Sequence, residues 1–217
     1  MDYSFSVYNK FAADGLTVGL EKYLCEHQTA YPPVVLCIGS DLAIGDSLGP
    51  LVGSMLRYKT QGMNAFIYGT LSSPVTAKEI KYVRSFLRST HKNRTVIAVD
   101  AAVGVEGDVG LIKLSNAPLS PGAGAGKKLG SVGQISLIGI VAEKSIGNYA
   151  LFSSTRLGLV YSMADILSDA LAATLWQKHG AMPRKTTPAA PKTTASAPCA
   201  TLSPAAVNAH LGATNEQ

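Results

Sequence analysis

The stretch Val34-Val35-Leu36-Cys37-Ile38-Gly39-Ser40-Asp41-Leu42-Ala43-Ile44-Gly45-Asp46-Ser47-Leu48-Gly49-Pro50 changes character twice. It opens as a continuous apolar run that reads as a strand buried on both faces. A glycine-bearing loop follows. Leu48 to Tyr58 then reads as a helix, with Pro50 in the first turn, where its missing N–H costs nothing. Strand, loop and helix in that order predict an α/β unit with parallel strands. In such sheets, ligands and chemistry gather outside the carboxyl ends of the strands. A second apolar run, Thr95-Val96-Ile97-Ala98-Val99, ends on Asp100. Asp46 and Asp100, delivered to one crevice by two strands, form a candidate acid–base pair.

The remaining elements extend the same alternation. Gly15–Glu26 reads as a helix that Asp14 could cap, and Ala65–Tyr68 as a short strand. Val75–Ser89 has apolar residues at helical intervals. Leu111–Leu114 and Gln134–Val141 read as strands, and a helix runs from about Thr155 to Gln177, closing on Lys178, His179 and Gly180. The first dozen residues are mixed and are expected to be ordered only if they dock. The expected architecture is a three-layer αβα fold with a mostly parallel or mixed sheet, in one domain spanning 1–180. From Ala181 onward Pro, Thr, Ala and Ser replace bulky hydrophobes. Such a composition cannot bury enough surface to offset its ordering entropy, so 181–217 is expected to be a disordered tail.

Composition narrows the function. Hydrophobic residues make up 47% of the 217 and charged residues 15%, as expected of a compact core. Aromatics at 7% argue against a stacking platform for single-stranded nucleic acid. Part of the net charge of +5 lies in the tail, and Lys78, Lys81, Arg84, Arg88, Lys92 and Arg94 follow helical spacing, as on a solvated helix face. The three cysteines form no metal-finger or CxxC spacing, which fits a reduced compartment. Met1-Asp2-Tyr3-Ser4-Phe5 lacks the features of a signal peptide, and no apolar run is expected to span a bilayer. These features predict a cytoplasmic protein with neither membrane nor nucleic-acid partner.

Three motifs compete with the acid pair. Gly45-Asp46-Ser47-Leu48-Gly49 fits both the G-x-S-x-G elbow and a Gly-Asp-Ser-Leu esterase signature. The elbow needs its serine on a sharp turn at a strand end and a histidine base. Ser47 lies at a helix start, and none of the four histidines (His27, His91, His179, His210) is spaced to serve it. A serine esterase using Ser47 is therefore the lesser reading, and helix capping the simpler one. Pro121-Gly122-Ala123-Gly124-Ala125-Gly126-Lys127-Lys128 has proline where a P-loop needs its first glycine and lysine where it needs Ser or Thr. Within the Gly/Pro-rich Asn116–Gly133 segment it suits a flap over a cleft better than a nucleotide cradle. Asp41, Asp46 and Asp100 could converge on a divalent ion, but no histidine is spaced to join them, so neither metal nor cofactor is predicted. For the acid pair itself, spacing leaves two readings open: shared-proton catalysis, or two aspartates capping a helix and a turn.

Resemblance bears on that choice. Cys37-Ile38-Gly39-Ser40-Asp41-Leu42-Ala43-Ile44-Gly45-Asp46-Ser47-Leu48-Gly49-Pro50, Tyr68–Ala77 and Val96-Ile97-Ala98-Val99-Asp100-Ala101 resemble the YyaC-type sporulation proteins. So do Pro121–Lys127, Val132–Ile140 and Thr155–Leu157, in the same order, so that the similarity covers roughly residues 15–178. That family resembles the germination protease of endospore formers, an atypical aspartic-type endopeptidase, and more distantly the hydrogenase maturation endopeptidases. The germination protease carries one catalytic aspartate in a Pro-Asp-Ala-Leu-Gly-Pro segment, matched by Gly45–Pro50, and the other in a Val-Asp-Ala segment, matched by Val99–Ala101. The resemblance thus implies catalysis by Asp46 and Asp100 and a peptidase-like αβα fold. It also implies a protein or peptide substrate, small acid-soluble spore proteins among them, and a place in the forespore or spore core. Where these sporulation proteins read Pro-Val-His-Ala, this chain has Pro74-Val75-Thr76-Ala77, so any role of that imidazole is absent or replaced. A sporulation protein that keeps the peptidase fold without turnover is the alternative.

Overall fold

The computed structural model describes residues 2–28, 31–122, 130–143 and 155–180. The expected disordered tail and the centre of the expected flap, 123–129, lie outside these residues. The elements in chain order are β1 (Tyr3–Ser6), α1 (Ala12–Glu26), β2 (Val34–Cys37), a 3₁₀ turn (Ile44–Asp46), α2 (Leu48–Lys59), β3 (Phe66–Tyr68), α3 (Ile80–Thr90), β4 (Val96–Gly104), β5 (Leu111–Ser115), β6 (Ile135–Glu143) and α4 (Leu157–Gly180). The strands form one sheet in the order β1-β5-β6-β4-β2-β3. β3, β2, β4 and β6 are mutually parallel, and β5 runs antiparallel to both β6 and β1, so the sheet is mixed.

Side-chain alternation sorts the core into two layers. Val35, Cys37, Ile97, Val99 and Leu137 meet Leu16 and Leu20 of α1, Val52 and Leu56 of α2, and Met163 and Leu167 of α4. Val34, Leu36, Val96 and Ala98 meet Ile80, Val83 and Leu87 of α3 on the opposite face. This is the expected three-layer αβα fold. Each fully buried leucine or isoleucine contributes about 1.5–3 kcal/mol, and Leu16, Leu20, Leu56, Ile80 and Ile97 are all 0% exposed.

Several boundaries differ from the expectations. The first residues dock as β1, whose Tyr3 and Phe5 pack toward the core. α1 begins at Ala12, because Asn9 accepts hydrogen bonds from Phe11 N through Oδ1 and from Ala12 N through its carbonyl; Asp14 sits inside the first turn and is not the cap. α3 begins at Ile80, because Val75 pairs with Ile38 as an extension of the sheet. α4 begins at Leu157.

The expectation that no apolar run reaches bilayer length also needs correction. Leu157–Lys178 is long and apolar enough to cross a membrane, yet half of its most apolar window is buried inside the protein. Met163, Leu167, Leu171 and Leu175 lie in the core, and Lys59 of α2 donates to Asp165 Oδ1 and Asp169 Oδ1 of α4 at 2.7 Å each. This apolarity is that of a core helix.

Candidate active site

The strand order places a topological switch between β2 and β4. From β2 the chain crosses through α2 to β3 on one side, then returns through α3 to β4 on the other. α2 and α3 lie on opposite faces of the sheet, as right-handed crossovers in opposite directions require. The carboxyl ends of β2 and β4 part at this switch, the position at which open α/β sheets bind ligands. Asp46 follows β2, and Asp100 belongs to β4.

The loop after β2 is closed by its own backbone. Ile38 N donates to Val99 O at 2.7 Å, so the chain leaves β2 beside Asp100. Gly39 N donates to Val75 O and Ser40 N to Asp46 O, each at 3.0 Å, which folds the 3₁₀ turn back over the strand end. That turn packs against β4 and α4. Gly39 has φ +144°, and a Cβ there would collide with the Asp46 carbonyl oxygen. On α2, Gly49 and Gly53 let the helix backbone approach the carbonyls of Ile38 and Gly69. Spaced four apart, they lie on one helix face, a signal present in the sequence and not used in reading it. Gly39→Ala is expected to cost about 1–3 kcal/mol of stability and to displace Asp46 from β4. Chemical denaturation would register the first effect, and loss of whatever activity the pair supports would register the second.

Asp100 is not at a strand end, as the sequence suggested. β4 continues to Gly104, paired with β6 through Ala101, Ala102 and Val103. Its partner on the other side, β2, stops level with Val99, so Asp100 is the first β4 residue beyond that flank. By alternation its side chain belongs to the α3 face with Val96 and Ala98. Oδ1 accepts a hydrogen bond from Ala101 N at 2.9 Å. Asp46 and Asp100 are both half-buried. Burial pushes the Asp100 carboxyl up to about 7, the Ala101 N–H opposes the shift, and the charge of Asp46 adds to it. The two carboxylates thus feel one another, and Asp100 holds its proton to near neutrality. Such a pair can take a proton at one oxygen and supply one at the other. Asp100 does not fill the capping role offered as the simpler reading, since it lies within a strand, and the N-cap residue of α2, Ser47, makes no side-chain cap hydrogen bond.

Other candidates resolve differently. Ser47 holds the N-cap position of α2, but its Oγ donates to Ile44 O at 2.7 Å, so the hydroxyl braces the 3₁₀ turn and does not cap the helix. His27 pairs with Asn116 Oδ1 at 2.6 Å and His91 with Tyr68 Oη at 2.8 Å. His210 and the side chain of His179 lie outside the described residues. Asp41 is exposed, and among the described residues no three His, Cys, Asp or Glu side chains gather to hold a metal ion. Thr76, where the resemblance expects histidine, binds Glu79: its N–H donates to Oε2 at 2.9 Å and its hydroxyl to the same oxygen, which holds the Glu79 carboxyl below the usual range. Threonine here closes the turn leading into α3, half of a capping box.

Comparison with known proteins agrees with this architecture in extent. Residues 6–170 match the model of a family described as protein of unknown function (DUF1256). The chain is also 44% identical over 143 residues to the uncharacterized protein YyaC of Bacillus subtilis (strain 168), an alignment covering 66% of this chain and 69% of that relative. The family match spans α1 through the first half of α4 and includes both Asp46 and Asp100.

Proposed function

We propose that this chain, which belongs to the DUF1256 family, is an aspartic-type endopeptidase in which Asp46 and Asp100 activate water against a peptide bond. The observation that carries the reading is the Asp100 carboxyl, raised to about 7 by burial and by the charge of Asp46 at the switch point of the sheet. A carboxyl poised near the working pH is the one best able to act as acid or base. The sequence resemblance to the germination protease supports the same two residues.

In the reaction, ionised Asp46 takes a proton from water as its oxygen adds to the carbonyl carbon. Asp100, still protonated, passes its proton to the carbonyl oxygen as negative charge grows there and takes it back from that oxygen as the intermediate collapses. Collapse of the tetrahedral intermediate breaks the C–N bond, and the departing nitrogen takes the proton held by Asp46. The substrate is a protein or peptide; small acid-soluble spore proteins, and a site of action in the cytoplasm of the forespore or in the spore core, rest on the resemblance alone. Incubation of the full chain with a peptide library and a spore-protein extract, read by mass spectrometry, should yield new amide-bond cleavage products. No cleavage of any component by full-length or proteolytically trimmed protein would overturn this reading in favour of a non-catalytic sporulation protein with the same fold.

A further inference from the structure

We infer that the chain forms a symmetric dimer in which β1 of one copy pairs antiparallel with β1 of a second, joining two sheets into one. β1 is the edge of the sheet: it pairs with β5 on one side and, among the described residues, with no strand on the other. Its outer side is built to take a strand. Val7 N donates to Gly110 O, so by alternation the backbone groups of Tyr3 and Phe5 point to β5. Those of Ser4, and the N–H of Ser6, point outward; Ser6 O accepts from Asn9 N in the turn that follows. Tyr3–Ser6 holds none of the lysines or prolines that blunt an edge strand.

Beside this edge, α1 and β1 frame a groove of about 490 Å³ lined by Tyr3, Phe5, Phe11, Asp14, Val18 and Lys22. Phe11 is 61% and Val18 68% exposed, so large apolar side chains stand in solvent next to the open strand. Asp14, Val18 and Lys22 follow one another at four-residue spacing and share a stripe of α1. That stripe is self-complementary. Turned about a two-fold axis at Val18, Asp14 meets Lys22 of the second copy, and Lys22 meets its Asp14. Lys22 already donates to Tyr3 Oη at 3.1 Å, which holds the ammonium at the rim of the groove with further donors to spare.

One axis serves strand and helix alike. A Cβ on Gly15 would strike the Phe5 ring, and one on Gly19 would lie 3.5 Å from the Tyr3 ring. Ser4, between Tyr3 and Phe5, is therefore level with the turn of α1 that carries Val18. With Ser4 opposite Ser4 of the second copy, the two residues exchange both N–H···O bonds at the axis, and each Ser6 N–H reaches the Asp2 carbonyl across it. The same register sets Tyr3 opposite Phe5 of the second copy, an aromatic cross-strand pair on the groove side. Lys22 stands at Tyr3, and Asp14 adjoins Gly15 at Phe5, so the strand register and the helix charges call for the same pairing. Only a second copy of this chain makes that double match a requirement of symmetry, which is why it is the occupant assigned.

Sedimentation equilibrium of the full chain over a range of concentrations tests the assignment. It should show monomer and dimer and no larger species, because a two-fold interface closes on itself. Ser4→Pro removes the outward N–H at the axis and leaves the bonds to β5 in place, so it should weaken association by about 30-fold or more. Asp14→Lys and Lys22→Asp each set like charges against one another across the axis and should weaken it by about 10-fold. The double variant Asp14→Lys/Lys22→Asp restores opposite charges and should return to within about 3-fold of wild type. A folding defect in either single variant would not produce that recovery. The proposal is overturned if the chain is monomeric at every concentration, and slow hydrogen exchange at the Ser4 amide would then mean that another part of the same chain covers the edge. It is also overturned if Ser4→Pro associates like wild type, or if the double variant fails to recover. None of these readouts depends on hydrolysis, and β1 is separated from β4 by β5 and β6, so the dimer and the acid pair stand or fall separately.

Discussion

Asp46→Asn and Asp100→Asn are each expected to lower kcat/KM for peptide cleavage by about 10³-fold or more, with the far-UV circular dichroism spectrum unchanged. Asparagine keeps the shape of aspartate but can neither take a proton from water nor carry one to a leaving group. Asp46→Asn removes the base, and Asp100→Asn removes the titrating proton donor. Because both residues serve one transition state, the double variant should be scarcely slower than either single one. The local backbone tolerates the change at Asp100. The hydrogen bond from Ala101 N to Oδ1 survives, since the side-chain amide keeps that oxygen. Full activity in both variants would show that the acids are architectural.

The same Asp100→Asn substitution should stabilise the protein, and the gain should depend on pH. Folding raises the Asp100 pKa from 3.8 to about 7. Below the unfolded value both states hold the proton, and Asp100 costs nothing. As pH rises, the unfolded chain releases the proton first, and the stability given by the protonated folded form is lost progressively until pH passes about 7. Asparagine has no such proton to lose. Its advantage should therefore be near zero at about pH 4 and should grow to about 2–4 kcal/mol above about pH 7. Urea unfolding of both proteins across that range measures it directly. A constant difference would mean that Asp100 is not held protonated by the fold. A variant that gains stability as it loses activity is the signature of a residue strained for function.

Much of this site was legible in the chain. The apolar run Val34–Ile38, the glycine loop and the helix opening at Leu48 pointed to the strand end that mattered, because buried parallel strands and helix starts leave strong local patterns. The position of Asp100 was less readable. Ala101 and Ala102 have weak strand propensity, and only pairing with β6 keeps them extended. β1 was missed although Tyr3-Ser4-Phe5-Ser6 alternates, since four residues without a neighbour in view carry little signal. The start of α3 was misplaced because Val75 fits a helical face as well as it fits the bridge to Ile38.

If Asp46 and Asp100 act as one acid–base unit, removing the charge of one shifts the titration of the other. The direct measurement is the titration of the Asp100 carboxyl carbon by NMR, in the wild-type protein and in Asp46→Asn. The expected result is a wild-type midpoint of about 7 that moves down when the charge of Asp46 is removed. A midpoint in the ordinary carboxylate range, unmoved by the Asp46 substitution, would contradict it.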